Sequence, residues 1–143
     1  MTRELHLRIV TPDRILVDRK VASVSFTGID GSYGVLPGHA PLTTAVARAG
    51  TLEITETDGR KERLFTSSGF AQMQHDVLTL VCEAGEFVQE IDLERAKAAE
   101  AKARERLAHL DRHSEEFLKA EASLKKALAR ERLARRGSGT GSL

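Results

Sequence analysis

The stretch that decides the fold runs from Gly31 to Leu42 and reads GSYGVLPGHAPL. Its three glycines are able to adopt positive φ without a steric penalty, and its two prolines fix φ and remove a backbone donor. The same stretch still carries large side chains, among them Tyr33, Val35 and Leu36. The pattern predicts a connection of defined shape between two strands, with Val35 and Leu36 turned into a core.

The composition indicates a soluble chain with a modest aliphatic core. Its 143 residues could form one medium domain or two small ones, and aromatic residues make up only 4%. No run approaches the ~20 apolar residues of a membrane-spanning helix, and the N-terminal sequence MTRELHLRIV is no signal peptide. Cys82 is the only cysteine, which excludes an intrachain disulfide and a structural zinc site, and its neighbours in VLTLVC predict a buried, inert thiol.

Alternating apolar and polar residues predict short strands up to about residue 88. The alternation is clear in ELHLRIV at 4–10, in ASVSFT at 22–27 and in LEIT at 52–55. Asp58-Gly59 predicts a type I′ hairpin turn, and Gln74-His75-Asp76 predicts the turn of a second hairpin. Because no helical segment stands between these strands, we expect an antiparallel sandwich or flattened barrel.

After Ile91 the apolar residues recur at the spacing of an α-helix. Residues 92–136 contain no Gly or Pro and eleven alanines. Asp92 predicts the N-cap of a first helix, and Ser114 the N-cap of a second after a short break. The two apolar stripes are Ala96, Ala99, Ala103, Leu107 and Leu110 on the first helix, and Phe117, Ala120, Leu124, Ala127 and Leu128 on the second. So short a break predicts an antiparallel αα-hairpin.

The predicted fold class is therefore α+β, an N-terminal antiparallel β-sandwich (1–88) followed by a C-terminal αα-hairpin (89–136) and a flexible tail (137–143). Residues 1–91 carry a net charge of −3 and residues 92–136 a net charge of +4, which fits two domains with different partners. This plan, together with the string GxYGVLPGHAPL, closely resembles the epsilon subunit of bacterial-type F-type ATP synthases, called delta in mitochondria. The resemblance covers residues 3 to about 136.

The resemblance implies a non-catalytic central-stalk subunit of a proton-translocating ATP synthase. The sandwich would sit at the foot of the gamma subunit and touch the c-ring, at the cytoplasmic face of the bacterial plasma membrane as a peripheral subunit, helping to transmit rotation to the alpha/beta catalytic head. Relatives often carry an acidic residue where this chain has Ser32, so Asp30 is expected to supply that charge. The implied c-ring contacts are Ile29, Asp30, Gly31, Ser32 and Tyr33, and the implied gamma contacts are His39, Ala40, Pro41 and Leu42.

The alanine-rich stripes predict helices that can separate. Burying methyl groups stabilises a pair of helices less than burying isobutyl groups, whereas alanine keeps each helix helical when unpacked. In the family the hairpin switches between a compact form and an extended form that inhibits ATP hydrolysis. The resemblance therefore implies an inhibitory second helix whose basic residues are Lys125, Lys126, Arg130 and Arg132; the alternative is a static hairpin.

Residues 91–96, IDLERA, resemble the [IL]DxxRA motif of epsilon subunits that bind ATP. No cofactor is required, but a regulatory ATP is implied at Glu86, Ile91, Asp92, Arg95, Ala96, Lys102, Lys126 and Arg130. Lys102 and Lys126 stand where tight binders usually carry Arg, and Lys lacks the planar fork that grips phosphate, so weaker binding is expected. The alternative interpretation is a helix cap without a ligand. No Walker motif is present, so hydrolysis by this chain is not expected.

The histidines do not indicate catalysis or a metal centre. None pairs with a Ser or Cys nucleophile at motif spacing, and His109 and His113, four residues apart, lack a neighbouring carboxylate motif and are read as a solvated helix end. The alternative function is a nucleic-acid-binding adaptor that uses the basic residues of 125–136. Interleaved Glu residues and the lack of stacking aromatics count against it, so no nucleic-acid partner is expected.

Overall fold

The computed structural model describes residues 3–46 and 50–138, and the chain divides into two compact units, Met1–Phe87 and Val88–Leu143. Ten strands are described in the first unit. They are β1 (Leu5–Val10), β2 (Ile15–Val21), β3 (Ser23–Gly28), β4 (Gly31–Val35), β5 (Leu42–Val46), β6 (Gly50–Thr55), β7 (Lys61–Thr66), β8 (Gly69–Gln74), β9 (Val77–Cys82) and β10 (Gly85–Phe87).

The strands join in one continuous sheet in the order β10-β7-β6-β3-β5-β8-β9-β1-β2, and β4 pairs with β3. The first half of β3 pairs with β6 through Ser23–Ser25, and its last residue, Gly28, pairs with β5. The strand β3 therefore connects the strands β10, β7 and β6 to the strands β5, β8, β9, β1 and β2. The pairs are antiparallel apart from β1 and β9, which run parallel. This one pair departs from the predicted antiparallel arrangement because β1 enters beside β9 from the far end of the sequence instead of through a hairpin.

The core is the aliphatic one that the alternation predicts. Leu5, Leu7 and Ile9 are each at most 1% exposed, and Leu52 and Ile54 are fully buried. Neighbouring residues on the same strands point outwards, as in a sheet with one buried face. The fold class predicted from the sequence is therefore confirmed for this unit.

The turn at Asp58-Gly59 differs from the predicted type I′ turn. Gly59 has φ 92°, whereas Asp58 is not among the residues with positive φ. The amide of Gly59 donates to the carbonyl of Glu56 at 2.9 Å, and the amide of Glu56 donates to the carbonyl of Arg60 at 2.7 Å. This is a three-residue loop with a type I turn and a left-handed glycine, which the Asp-Gly pair also satisfies.

The turn with positive φ at both central residues lies instead between β8 and β9. His75 and Asp76 have φ 52° and 59°, and Gln74 pairs with Val77 across the turn. The left-handed region is tolerated by His and Asp better than by most residues, although each position costs some strain. The predicted second hairpin is thus confirmed.

The stretch Gly31–Leu42 is only partly a loop. Its first five residues form β4, and the connection proper runs from Leu36 to Pro41. Val35 is fully buried as predicted, but Leu36 is 62% exposed, so its prediction as a core residue is wrong. Because successive strand side chains point to opposite faces, burying Val35 turns its neighbour outwards.

The second unit contains a 3-10 turn at Val88–Glu90 and two helices, α1 (Leu93–His109) and α2 (Glu115–Ser138). The carboxylate of Asp92 accepts from the amide of Arg95 at 3.2 Å, and the hydroxyl of Ser114 accepts from the amide of Phe117 at 3.1 Å. Both predicted N-caps are confirmed. The helix α2 continues through the first two residues of the predicted tail, and residues 139–143 of that tail lie outside the described residues.

The two helices pack on each other as the predicted αα-hairpin. Ala96 and Ala103 on α1, and Ala120 and Ala127 on α2, are at most 4% exposed. Ala99, predicted for this stripe, is exposed, because the contact follows the spacing 96, 100, 103, 107 on α1. That spacing places Glu100 in the contact instead of the predicted Ala99.

Candidate functional site

The tip of the β3–β4 hairpin presents an apolar side chain beside a carboxylate. Ile29 and Asp30 form the turn, and Ile29 is 70% exposed. The hydroxyl of Tyr33 lies 2.9 Å from both carboxylate oxygens of Asp30 and donates to them. The Tyr33 ring stacks on Phe26, with centroids 5.4 Å apart. An aromatic pair therefore holds the acidic side chain in place at the tip.

This arrangement depends on a glycine. The Tyr33 ring crosses over Gly28, where an added Cβ would lie 2.6 Å from ring atom Cε2. Such a distance is shorter than any van der Waals contact, so a larger residue would displace the ring. The structure thus brings the predicted c-ring residues together on one hairpin, with Gly31 and Ser32 exposed and Tyr33 half-buried.

The loop after β4 forms a type II turn. The amide of His39 donates to the carbonyl of Leu36 at 3.1 Å, with Pro37 at the second position and Gly38 at φ 85° in the third. The amide of Gly38 donates to the carboxylate of Asp76 at 2.6 Å, which fixes the turn against the β8–β9 hairpin. Beyond the turn, the predicted gamma contacts Ala40 and Pro41 are exposed, while His39 and Leu42 are half-buried.

An apolar groove that the sequence reasoning missed begins at the same tip. It has a volume of about 780 Å³, and Ile29, Phe70 and Val81 line it. Phe70 is 66% and Val81 is 51% exposed, and the two residues pair directly across β8 and β9. Ala45 of β5 pairs with Phe70 on its other side, so an apolar row crosses three strands.

A sequence signal for this row exists. In GFAQMQ, Phe70 alternates with Ala71 and Met73, which are both buried, so Phe70 must face outwards. A strand with apolar residues on both faces is covered on both faces or carries a binding surface. Cys82 also lines the groove, but burial raises the pKa of its thiol to about 11, so it is protonated at neutral pH, as expected for an inert thiol.

In the second unit, the IDLERA residues build the entry to α1. Asp92 is the N-cap, and the amide of Ile91 donates to the carbonyl of Val88 at 3.2 Å. Ala96 is buried in the contact between the helices, and Arg95 is exposed. The capping contact expected of Asp92 is therefore present. Glu86 is half-buried in β10 of the first unit.

The basic candidates for ATP binding share one flank of the hairpin. Lys102, Lys126 and Arg130 each stand one residue before a buried contact residue on its helix. One residue is a rotation of about 100°, and in two antiparallel helices the residues that precede the contact positions lie on the same side. Arg95 also precedes a contact position, nearer the start of α1, and Arg106, which the sequence reasoning missed, lies one turn beyond Lys102. Arg95, Lys102, Arg106, Lys126 and Arg130 define the basic flank, whose side chains are of the types that bind phosphate groups in proteins.

The four residues predicted for the inhibitory helix do not form one patch. Lys125 and Arg132 are exposed and follow contact positions, so they lie on the flank opposite to Lys126 and Arg130. Ion pairs occupy that second flank, including Arg104 with Glu100 at 2.7 Å. Because the two flanks are separate, Lys125 and Arg132 can be tested independently of Lys126 and Arg130.

Within residues 3–46 and 50–138, no group of three or more His, Cys, Asp or Glu side chains is placed to hold a metal ion. A helix long and apolar enough to cross a bilayer is likewise absent from the described part of the chain.

Two family models match this chain in succession. The model described as "ATP synthase, Delta/Epsilon chain, beta-sandwich domain" matches residues 4–88. The model described as "ATP synthase, Delta/Epsilon chain, long alpha-helix domain" matches residues 89–135. Together they cover both units of the structure.

Individual relatives match over nearly the full length. The chain is 39% identical over 134 residues to the ATP synthase epsilon chain of Caldanaerobacter subterraneus subsp. tengcongensis, which covers 94% of this chain and 96% of that one. It is 37% identical over 133 residues to that of Nitratidesulfovibrio vulgaris, covering 93% and 97%. A chain of the Euglena gracilis mitochondrial ATP synthase, solved as OSCP/F1/c-ring in rotational state 1, has the same fold, with a TM-score of 0.78, 24% identity, and 90% and 80% covered.

The packing at the tip can be tested through Tyr33, which is the only tyrosine of a chain without tryptophan. Replacing Gly28 by alanine should displace the Tyr33 ring and lower the free energy of unfolding by about 1–3 kcal/mol, as for other overpacked positions. Tyrosine fluorescence should rise as the hydroxyl leaves the quenching carboxylate. Asp30→Asn should raise the fluorescence with little loss of stability, and an unchanged Gly28→Ala spectrum would contradict the close approach.

Proposed function

The chain belongs to the ATP synthase delta/epsilon chain family, and we propose that its β-sandwich joins the gamma subunit to the c-ring while its hairpin regulates ATP hydrolysis. In this family the chain is a non-catalytic subunit of the ATP synthase central stalk. The subunit is peripheral to the membrane through the complex, at the cytoplasmic face of a bacterial plasma membrane. What it contributes is mechanical coupling, not chemistry.

The observation that carries the coupling role is the apolar row beside the acidic tip. Phe70 and Val81 expose large apolar side chains side by side on the outer face of β8 and β9, next to Ala45 of β5. Burying such surface stabilises an interface by roughly 25 cal/mol per Å², so this groove suits a long-lived neighbour such as a gamma helix. Ile29 lines the same groove and, with Asp30, forms the tip. A carboxylate held by Tyr33 suits the polar loops of the c-ring.

Coupling should therefore be sensitive to charge reversal at the tip. In membranes that contain Asp30→Lys, we expect weaker assembly and reduced ATP-driven proton pumping, because a repulsive charge replaces an attractive one at an interface. Phe70→Ser should release the subunit from gamma through loss of apolar contact. Thr57→Lys, on the exposed turn before β7, is the matched control and should pump normally. Normal pumping by Asp30→Lys would remove this tip from the interface.

The hairpin is proposed to act as a brake on hydrolysis. In the extended form α2 would reach the catalytic head, where several exposed cations acting together in a partly dehydrated cleft can hold a rotor position. Lys125 and Arg132 are the candidates for this contact, because both are exposed and lie on the flank opposite to the one proposed for ATP. The four buried alanines of the hairpin, Ala96, Ala103, Ala120 and Ala127, bury little apolar surface each, which favours a closed form that can open.

Truncation after Asp111 should raise ATP hydrolysis by the membrane enzyme and leave synthesis intact, because it removes α2 only. The double variant Lys125→Gln/Arg132→Gln should raise hydrolysis partway without changing the affinity for ATP. Lys126→Gln/Arg130→Gln is the comparison pair on the other flank. Hydrolysis that stays unchanged in the truncated enzyme, at every ATP concentration and membrane energisation, would exclude a brake.

The basic flank is proposed to bind a regulatory ATP in the closed hairpin. Lys102, Lys126 and Arg130 lie within about one turn of each other along the paired helices, and Arg106 extends the flank. Ammonium and guanidinium groups suit a triphosphate, and a ligand that binds the closed form alone stabilises it by mass action. Lysines at two of these positions favour modest affinity.

Isothermal titration of the isolated subunit should show saturable ATP binding that Arg130→Ala weakens by about tenfold or more, since a charge-assisted hydrogen bond contributes about 1.5–3 kcal/mol. Lys102→Arg/Lys126→Arg should tighten binding, because each guanidinium can contact phosphate with two donors. A short oligonucleotide is the anion control. If neither wild type nor the arginine variant takes up ATP at millimolar concentration, IDLERA is a capping sequence only.

A further inference from the structure

Two glutamates occupy the contact between α1 and α2. On α1 the contact positions run Ala96, Glu100, Ala103, and on α2 they run Ala127, Glu131 and Ala134, in both cases with spacings of four and three residues. The carboxyl groups of Glu100 and Glu131 lie close enough to share a hydrogen bond, which one of them can donate only when it is protonated. Both helices therefore place a carboxyl group at the same level of an otherwise small and apolar contact.

The carboxyl group of Glu131 is buried and only partly satisfied. The residue is 7% exposed, and its Oε2 is inaccessible and accepts no hydrogen bond from any donor in the part of the chain that the structure describes. Its Oε1 accepts from the guanidinium of Arg135 at 3.4 Å. An ionised carboxylate only accepts hydrogen bonds, so two ionised glutamates here would leave a buried oxygen facing a like charge.

The other charged groups around the pair come from both helices. Arg104 of α1 donates to Glu100 at 2.7 Å, and Arg135 of α2 contacts Glu131 and acts on Glu100 through its charge. The 3-10 turn that also packs on α2 contributes one titratable side chain, Glu90. The two guanidinium groups stabilise one ionised carboxylate, and they disfavour a divalent cation at this position.

We propose that Glu100 and Glu131 form a proton-dependent latch, in which the closed hairpin holds one proton between the two carboxyl groups and opens more readily when that proton is lost. Protonated Glu131 donates to the ionised Glu100, which satisfies the buried oxygen and removes the repulsion. Loss of the proton to solvent leaves two carboxylates in contact, and separation of the helices relieves their repulsion.

The direction of the pH effect follows from the two carboxyl groups. The hydrogen bond to Glu100, together with burial, raises the pKa of Glu131. Protonated Glu131 therefore stabilises the closed hairpin fully below the ordinary pKa of glutamic acid, and this stabilisation is lost as the pH rises through the raised pKa. The hydrogen bond from Glu131, with that from Arg104, lowers the pKa of Glu100, so its contribution is lost only in more acidic solution. Closure is therefore strongest in mildly acidic solution and weakens towards alkaline pH.

The full-length subunit can report opening directly. Spin labels on Ala98→Cys and Ala122→Cys, both at exposed helix positions, would measure the distance between α1 and α2 in a Cys82→Ala background. Between about pH 5 and pH 8 the ratio of closed to open hairpin should fall, by about tenfold for each pKa unit that closure adds to Glu131. Carbon-detected NMR of the glutamate carboxyl groups, in the same chain, should show Glu131 titrating above the ordinary range.

Matched variants separate the latch from general charge effects. Glu131→Gln retains an amide donor to Glu100 without a titratable proton, so its hairpin should stay closed across the pH range. Glu105→Gln removes an exposed carboxylate from α1 and should respond to pH like the wild type. An ordinary pKa for Glu131, a ratio that does not change with pH, or a Glu131→Gln variant that still opens would each overturn the proposal. These measurements need neither ATP nor the assembled enzyme, so they test the latch independently of the proposed brake.

Discussion

The first unit depends on one constraint, which is that every strand must present its apolar side chains to a single aliphatic core. Leu7, Ile9 and Leu52 are fully buried, and the alternation of strand side chains then leaves mainly polar residues outside. Phe70 and Val81 depart from that rule, because both are large apolar residues with exposed side chains. Their apolar surface adds nothing to the core, and exposing it favours association, so selection for a partner is the simplest physical reason for it.

In contrast to the first unit, the helical hairpin has no large aliphatic side chains at its buried alanine positions. Four of the residues buried in its contact are alanines and one pair of contact residues is carboxylic, so the helices gain little from burial at these positions when they meet. Alanine has the highest helix propensity, and both helices begin at a satisfied N-cap, Asp92 or Ser114. Alanine therefore favours the helical state of each segment with or without the contact, and it contributes little to holding the two helices together. Small free-energy changes at the contact, such as one proton or one anion, are then enough to shift the equilibrium between closed and open forms.

Local patterns could be predicted from the sequence, and long-range placement could not. The buried face of Leu5–Val10 and the two N-caps follow from neighbours within a few residues, and they were predicted correctly. The apolar character of Leu36 and Ala99 predicts burial, but the phase of the strand and of the helix contact turns both side chains outwards. The position of Glu100 in the contact does not follow from its sequence, since a charged residue is not expected at a contact unless a partner such as Glu131 is known.

The two ligands proposed for the hairpin would be linked, because each is proposed to bind its closed form. A proton held between Glu100 and Glu131 would draw the equilibrium towards closure, and so would a phosphate group bound near Lys102 and Arg130. Each ligand would then strengthen the binding of the other. Charge adds to this effect: Arg130 directly precedes Glu131, and an anion on that flank makes the neighbouring carboxylate easier to protonate. Acidic solution and abundant ATP would therefore act in the same direction, keeping α2 away from the catalytic head. Alkaline solution with little ATP would release it.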